Sequence, residues 1–282
     1  MNTSYQLSGK SGSIWSVGLL ISLPLALLTS WLYGLILYYN PLVYLSILLW
    51  VGFMFCIGFN LRMTARFGKC RSEAQAKSLG VIFGVASLYL SWAFFLGSML
   101  SPLVSAWDLL GSPSAMWEMI KITGGEGYYS IFGIDVKGFV LWAIWIIEAI
   151  GIVGVARLAA KSSIHEEVFC EACNQWVEEQ NDVFRTEVPE QGVLAKAIAG
   201  DVDAVLSLSH HSTKGDEAAG SQVLRFNYKH CASCNSLATL DWDLVGFKTN
   251  SKGEMETDEE DISPVFILTD AQKAQVEGRL TF

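Results

Sequence analysis

The chain has 282 residues, of which 51% are hydrophobic, 12% aromatic and 17% charged. Average soluble domains carry roughly 25% charge, so a single soluble globule is excluded, and 10 Trp and 15 Phe exclude a disordered chain. The charge is unevenly placed: residues 1–157 hold 9 Lys and Arg against 6 Asp and Glu, and residues 158–282 hold 10 against 22, so the net of −9 divides into +3 and −12.

Residues 1–13 form an N-terminal tail, after which the apolar half predicts an α-helical membrane bundle of four spans. A hydrocarbon core of about 30 Å takes about 20 mostly apolar residues as helix. Residues 14–37 are uncharged and long enough. They exceed the apolar region of a signal peptide and no small-x-small cleavage pattern follows, so this span is expected to stay as an anchor. Asn40-Pro41 forces a turn, because Pro disfavours helix at the residue before it and starts a new helix well. Residues 42–59 then make a second span.

The connection 60–78 carries Arg62, Arg66, Lys69, Arg71 and Lys77 against Glu73 alone, and residues 79–100 make the third span. Lys and Arg gather on the cytoplasmic side of membrane proteins. The connection 60–78 is therefore expected in the cytosol, and residues 101–138, with only Lys121 and Lys137, outside it. With a fourth span at residues 139–156, both termini fall inside, and the expected location is the plasma (inner) membrane. Within 101–138, Ser112-Pro113 starts a short amphipathic helix, Thr123-Gly124-Gly125 ends it, and Tyr128 to Val136 form a small hairpin turned at Gly133.

Two features of the spans bear on function. Glu148 lies in the fourth span, where an ionisable side chain is a functional-site hypothesis because burying its charge is expensive. No other span offers an Asp, Glu, Lys, Arg or His, so the competing expectation is a carboxyl hydrogen-bonded to Ser87, Ser91 or another neighbouring hydroxyl. Gly80-x-x-x-Gly84 and Gly151-x-x-Gly154 are small-residue spacings that let helices approach closely, within one bundle or between two copies of a homo-oligomer.

The acidic half, residues 158–282, carries the specific chemical signal. Cys56 and Cys70 belong to the apolar half and read as a small apolar residue and an incidental thiol. The other four form Cys170-Glu-Ala-Cys173 and Cys231-Ala-Ser-Cys234. Each C-x-x-C offers two thiolates from one tight corner, and two pairs supply the four ligands of tetrahedral zinc. Asn174 and Asn235 follow the second cysteine of each pair, and Asn tolerates the left-handed backbone that closes such a corner. A redox pair or disulfides are the rival readings. Glu166, Glu167 and Glu171 around the first pair argue against a stabilised thiolate, and a cytosolic position argues against disulfides.

With these motifs, residues 165–246 resemble the zinc-ribbon family, in Phe169-Cys170-x-x-Cys173-Asn174-x-Trp176 and Tyr228-Lys-His-Cys231-x-x-Cys234-Asn235. The resemblance implies a small α+β domain around one structural zinc held by Cys170, Cys173, Cys231 and Cys234, with strands at Val177 to Phe184 and Val223 to Tyr228. His165 and His230 are then neighbours of the metal. The 57 residues between the pairs exceed a minimal ribbon, and residues 189–208 predict a helical insertion. The run Glu254 to Asp261 is expected as a solvated acidic loop, Val265 to Leu268 as a strand, and Asp270 as the cap of a last helix. His210-His211 falls in a polar loop.

Zinc ribbons often bind nucleic acid, but a half of net −12 without a basic cluster is unsuited to phosphate neutralisation, so no nucleic-acid partner is expected. The chain has no phosphate loop, nucleophile elbow, zincin helix or dinucleotide fingerprint, so no catalytic residues are assigned. The expected role is a protein-interaction or assembly module at the membrane, with lipids and a protein as partners. The alternative is an oligomeric channel or transporter assembled or regulated by the ribbon.

Overall fold

A computed structural model describes residues 2–127, 129–131, 134–165, 167–210 and 220–280. The chain divides into two compact units, Ser8–Glu166 and a second made of Met1–Leu7 with Glu167–Phe282. Four helices of the first unit are long and apolar enough to cross a membrane.

The first begins as α1 (Ile14–Val17), widens into a π turn at Gly18–Ser22 and continues as α2 (Leu23–Tyr39). Pro24 lacks the N–H that a regular α-helix would use there, and π turns relieve such mismatches. Asn40 turns the chain with its side chain, which accepts from Leu42 N–H at 3.0 Å. After it come α3 (Val43–Phe67) and α4 (Glu73–Leu100), then short helices α5 (Ala106–Gly111) and α6 (Pro113–Glu126), a hairpin of β1 (Tyr129–Ile131) and β2 (Ile134–Val136), and α7 (Phe139–His165).

The helices run alternately up and down. Gly68 meets Ile14, so α3 ends where the first helix starts; Gly80 lies against Ala156, so α7 ends where α4 starts. A Cβ at Gly80 would come within 2.7 Å of the Ala156 oxygen, and one at Gly84 within 3.0 Å of Val153. The pair thus sets the α4–α7 approach inside one bundle. Gly151 abuts Trp50 of α3, whereas Gly154 faces open space. Short polar contacts tie the helices together: Ser22 with Thr64, Asn60 Nδ2 donating to Ser22 O at 3.1 Å, and the Ser30 hydroxyl donating to Ser87 O at 3.2 Å. The outward faces are apolar, with Leu20 77% and Phe55 71% exposed.

The second unit is built on an antiparallel sheet. It opens with the two-residue strands β3 (Phe169–Cys170) and β4 (Gln175–Trp176), which pair with each other. Then come β5 (Glu178–Glu187), α8 (Gln191–Ile198), α9 (Val202–Leu206), β6 (Gln222–His230), β7 (Ala238–Thr249), β8 (Met255–Asp261), β9 (Phe266–Ile267) and α10 (Asp270–Leu280). The strand order is β5-β6-β7-β8, with β9 on the start of β7. Because side chains alternate across a strand, one face gathers Phe184, Phe226, Tyr228, Leu240 and Trp242 into a core closed by Val205 of α9 and Val276 of α10. The opposite face carries Arg225, Asn227, Lys229, Asp241 and Asp243, joined by hydrogen bonds and ion pairs.

Several expectations change. The start of the N-terminal tail joins the sheet unit: Asn2 N–H donates to Gly200 O at 2.6 Å, Tyr5 N–H to Val265 O at 2.7 Å, and Thr3 O accepts from Ile267 at 2.9 Å. These bonds satisfy backbone groups that a short edge strand would leave open. The acidic run is strand β8 rather than a loop, with two of its carboxylates paired, Asp258 with Lys248 at 2.6 Å and Glu259 with Arg225 at 2.7 Å. The basic connection is mostly helical, α3 running to Phe67 and α4 starting at Glu73. Helix α6 passes through Gly124-Gly125 to Glu126, because Gly124 is pressed against Trp142 and Trp145 where no side chain fits. Thr269, not Asp270, caps α10: its hydroxyl accepts from Gln272 N–H at 3.3 Å while the Gln272 side chain accepts from Thr269 N–H at 3.0 Å, a reciprocal capping box. Tyr128, Gly133, Glu166 and His211 lie outside the described residues.

Candidate metal centre

The four cysteines come from two hairpin corners. Strands β3 and β4 pair Phe169 with Trp176 and Cys170 with Gln175, which turns the chain tightly across Cys173. Strands β6 and β7 pair His230 with Ala238, with Cys231 and Cys234 in the connection between them. Asn174 (φ 50°) and Asn235 (φ 55°) are both left-handed, the conformation expected of the residue that closes each corner. Asn235 N–H donates to Cys231 O at 2.8 Å and Cys231 N–H to Leu237 O at 2.9 Å.

These corners bring the four Sγ atoms within 4.8 Å of one another, with Cys170 and Cys234 at 3.6 Å. A tetrahedral ion with bonds of about 2.3 Å to sulfur places its ligands roughly 3.8 Å apart, so the donors match a four-thiolate site in number, type and spacing. Cys170 and Cys231 are buried and Cys234 is exposed. Among the described residues, the sulfurs are the only His, Cys, Asp or Glu donors grouped here; His230 stacks on Tyr228 at 5.3 Å, and the His165 side chain is outside the described set.

The thiols are electrostatically unequal. The Ser236 hydroxyl at 2.9 Å from Cys234 Sγ pulls Cys234 down to about 6. Hydrogen bonding to Cys234 pushes Cys173 up to about 12, and burial raises Cys170. Burial works against the Cys231 thiolate, but the Cys234 and Ser233 backbone N–H groups outweigh it and lower Cys231 as well. The metal-free cluster therefore gathers its negative charge on the second corner and keeps protons on Cys170 and Cys173. A cation must displace those protons, which makes loading weaken as pH falls.

Three residues outside the cysteine motif hold the corners. Gln175 Nε2 reaches across from the first to the second, donating to Ser233 Oγ at 2.8 Å. Lys273 of α10 donates to Asn235 O at 2.7 Å. Tyr5 grips the residue before Cys170, its hydroxyl accepting from Phe169 N–H at 3.0 Å and lying 3.3 Å from Phe169 O. Nothing in the cysteine spacing points to Tyr5 or Lys273, since both arrive from the ends of the chain.

The helical unit places Glu148 against Tyr33 of α2, whose hydroxyl donates to it at 2.7 Å. Tyr33 in turn stacks on Phe53 at 4.2 Å. The partner is thus a hydroxyl from a neighbouring helix, but neither Ser87 nor Ser91. Cys56 is exposed, and Cys70 is buried with its thiol raised by that burial. His210 is exposed and lies edge-on to Phe184 at 6.0 Å, not among the cysteine donors.

No family model, no curated protein and no solved structure matches this chain.

Proposed function

We propose that the chain is a four-span membrane protein whose sheet unit is a zinc-ribbon-like domain folded around one structural zinc, and that this domain acts as a protein-interaction or assembly module at the membrane. The observation that carries the reading is the closed set of four thiols from two left-handed corners, all within 4.8 Å. Four protein ligands leave no position for substrate, so such a metal supplies folding free energy and no chemistry. Four helices of sufficient length and hydropathy, apolar on the outside, support insertion in a bilayer.

Both ends of the helical unit connect to the sheet unit, since residues 2–7 are built into it together with 167–280. An even number of spans returns the chain to the side it left, in keeping with both termini on one side. The basic residues between the second and third spans favour the cytosolic side of a plasma membrane. The Tyr33 hydrogen bond supports a structural role for Glu148 over an ion path.

The test uses the full chain purified in mild detergent. One zinc per chain is expected, together with migration in a complex larger than the monomer. Cys173→Ser should lose both the zinc and the complex while α3, α4 and α7 stay protected from exchange. Persistence of the complex without metal would refute the assembly role, and zinc-independent ion flux in liposomes would favour a channel.

A further inference from the structure

We infer that the helical unit binds one phospholipid acyl chain in an indole-walled cavity between α4, α6 and α7. The cavity has a volume of about 310 Å³. That is within the range of small-molecule sites, which start at about 300 Å³. One side is an unbroken series of four indoles: Trp92 meets Trp145 at 4.7 Å, Trp145 meets Trp142 at 5.4 Å, and Trp142 meets Trp117 at 5.7 Å. Tyr89 adds a ring but no polar group, because its hydroxyl is turned to the Leu109 and Leu110 carbonyls at 2.9 and 3.2 Å.

The lining decides against water. A water needs two to four polar partners, and this lining of apolar and aromatic side chains offers few. The rim decides where the guest enters. Val85 of α4, Trp117 of α6 and Ile146 of α7 are 52%, 52% and 54% exposed, so the mouth opens sideways between the helices onto the same apolar surface that carries Ile82 and Ile150. In the membrane reading, on which this inference rests, that surface is bathed in lipid tails.

Depth identifies which part of the lipid fits. Trp142 and Ala149 lie about 5 and 15 Å along α7 from Phe139, at 1.5 Å per residue. That interval falls inside a hydrocarbon core of about 30 Å and below the headgroups. The occupant is therefore the tail of a lipid, entering laterally, with α6 as the lid. Helix α6 has a reason to be there: Met116 is buried under it, and the close fit of Gly124 against Trp142 holds its far end down.

The experiment takes the full-length protein in non-ionic detergent, strips it of lipid, exposes it to dioleoylphosphatidylcholine and counts retained lipid by native mass spectrometry. The wild type is expected to retain one lipid per chain. Ala149→Phe fills the cavity from α7 and Ile120→Trp fills it from the lid, and each should cut retention at least fivefold. Ile147→Phe places the same phenyl ring on the outward face of α7 and should retain lipid as the wild type does. Retention no greater than a random distribution, or unchanged in a filled variant that keeps wild-type helix content, overturns the cavity site. Failure of the membrane reading itself has a separate signature, release of the protein from membranes by alkaline carbonate without detergent.

Discussion

Leu48 of α3 is 68% exposed, and Trp242 of β7 is completely buried among Phe226, Phe266 and the α9 helix. The two positions mark how differently the units are held. The helical unit turns many large apolar side chains outward and brings its helices together through Gly80, Gly84, Ala156 and small hydroxyls as well as buried clusters such as Leu96 with Met116, so close fit between backbones is part of its stability. The sheet unit gathers its aromatics on one face and its paired charges on the other, and its cysteine end brings four thiols within 4.8 Å of one another. The first organisation suits a solvent of lipid tails and the second suits water.

The largest test of that contrast is metal removal. Structural zinc contributes on the order of 10 kcal/mol to small zinc domains, more than most domains have in reserve. Chelation, or Cys231→Ser, should abolish hydrogen-exchange protection in β3, β4 and the ends of β6 and β7, and leave α3 and α4 protected. Loss of protection in both units together would show that the helices depend on the metal too.

Core truncation comes next. Trp242→Ala should destabilise the sheet unit by about 3 to 5 kcal/mol, whereas Leu48→Ala on the outer face of α3 should stay within about 0.5 kcal/mol, both read from chemical unfolding of the detergent-solubilised chain. Gly80→Val tests the other mode of packing. Its side chain would enter the Ala156–Arg157 backbone at 2.7 Å, so a cost of about 1 to 3 kcal/mol is expected in the helical unit and none in the sheet unit.

How much of this is legible in the sequence follows the same division. The helices announce themselves, because apolar runs of helix length have few alternatives, although their ends do not: α3 and α4 continue through Arg62, Arg66 and Lys77, residues that composition assigns to a loop. The C-x-x-C corners and their left-handed Asn residues are equally plain. The sheet is harder. In β7 the alternation of Leu240, Trp242 and Leu244 with Thr239, Asp241 and Asp243 is a strand pattern, but the buried acids resemble a polar segment until Lys229 and Arg225 are known to stand beside them. Strand β8 has seven exposed residues and no apolar alternation at all. Tyr5 was illegible for a different reason, since its partner is 164 residues away.

The smallest effect concerns the charged face of the sheet, where two carboxylates respond to acid with opposite signs. Arg225 donates to Glu259 at 2.7 Å and holds that carboxyl below its usual value of 4.5. A group depressed in the folded state contributes stability above its unfolded pKa and loses it as pH falls through the folded one. Asp241 is the reverse: burial raises it above its usual 3.8 despite Lys229 at 3.6 Å, so acid relieves its desolvation and adds stability. The Glu259 pair is largely exposed and worth about 0.2 to 1 kcal/mol at neutral pH. Glu259→Gln should therefore cost that much at pH 7 and nothing extra below the range where Glu259 protonates. Thermal unfolding of the sheet unit followed by tryptophan fluorescence should show the variant and wild type converging as pH falls below about 4.5. Both proteins keep the same cysteines, so protonation of the metal centre is common to them and cancels in the difference. A gap that persists undiminished in acid would mean that Glu259 acts through packing and not through the charge of Arg225.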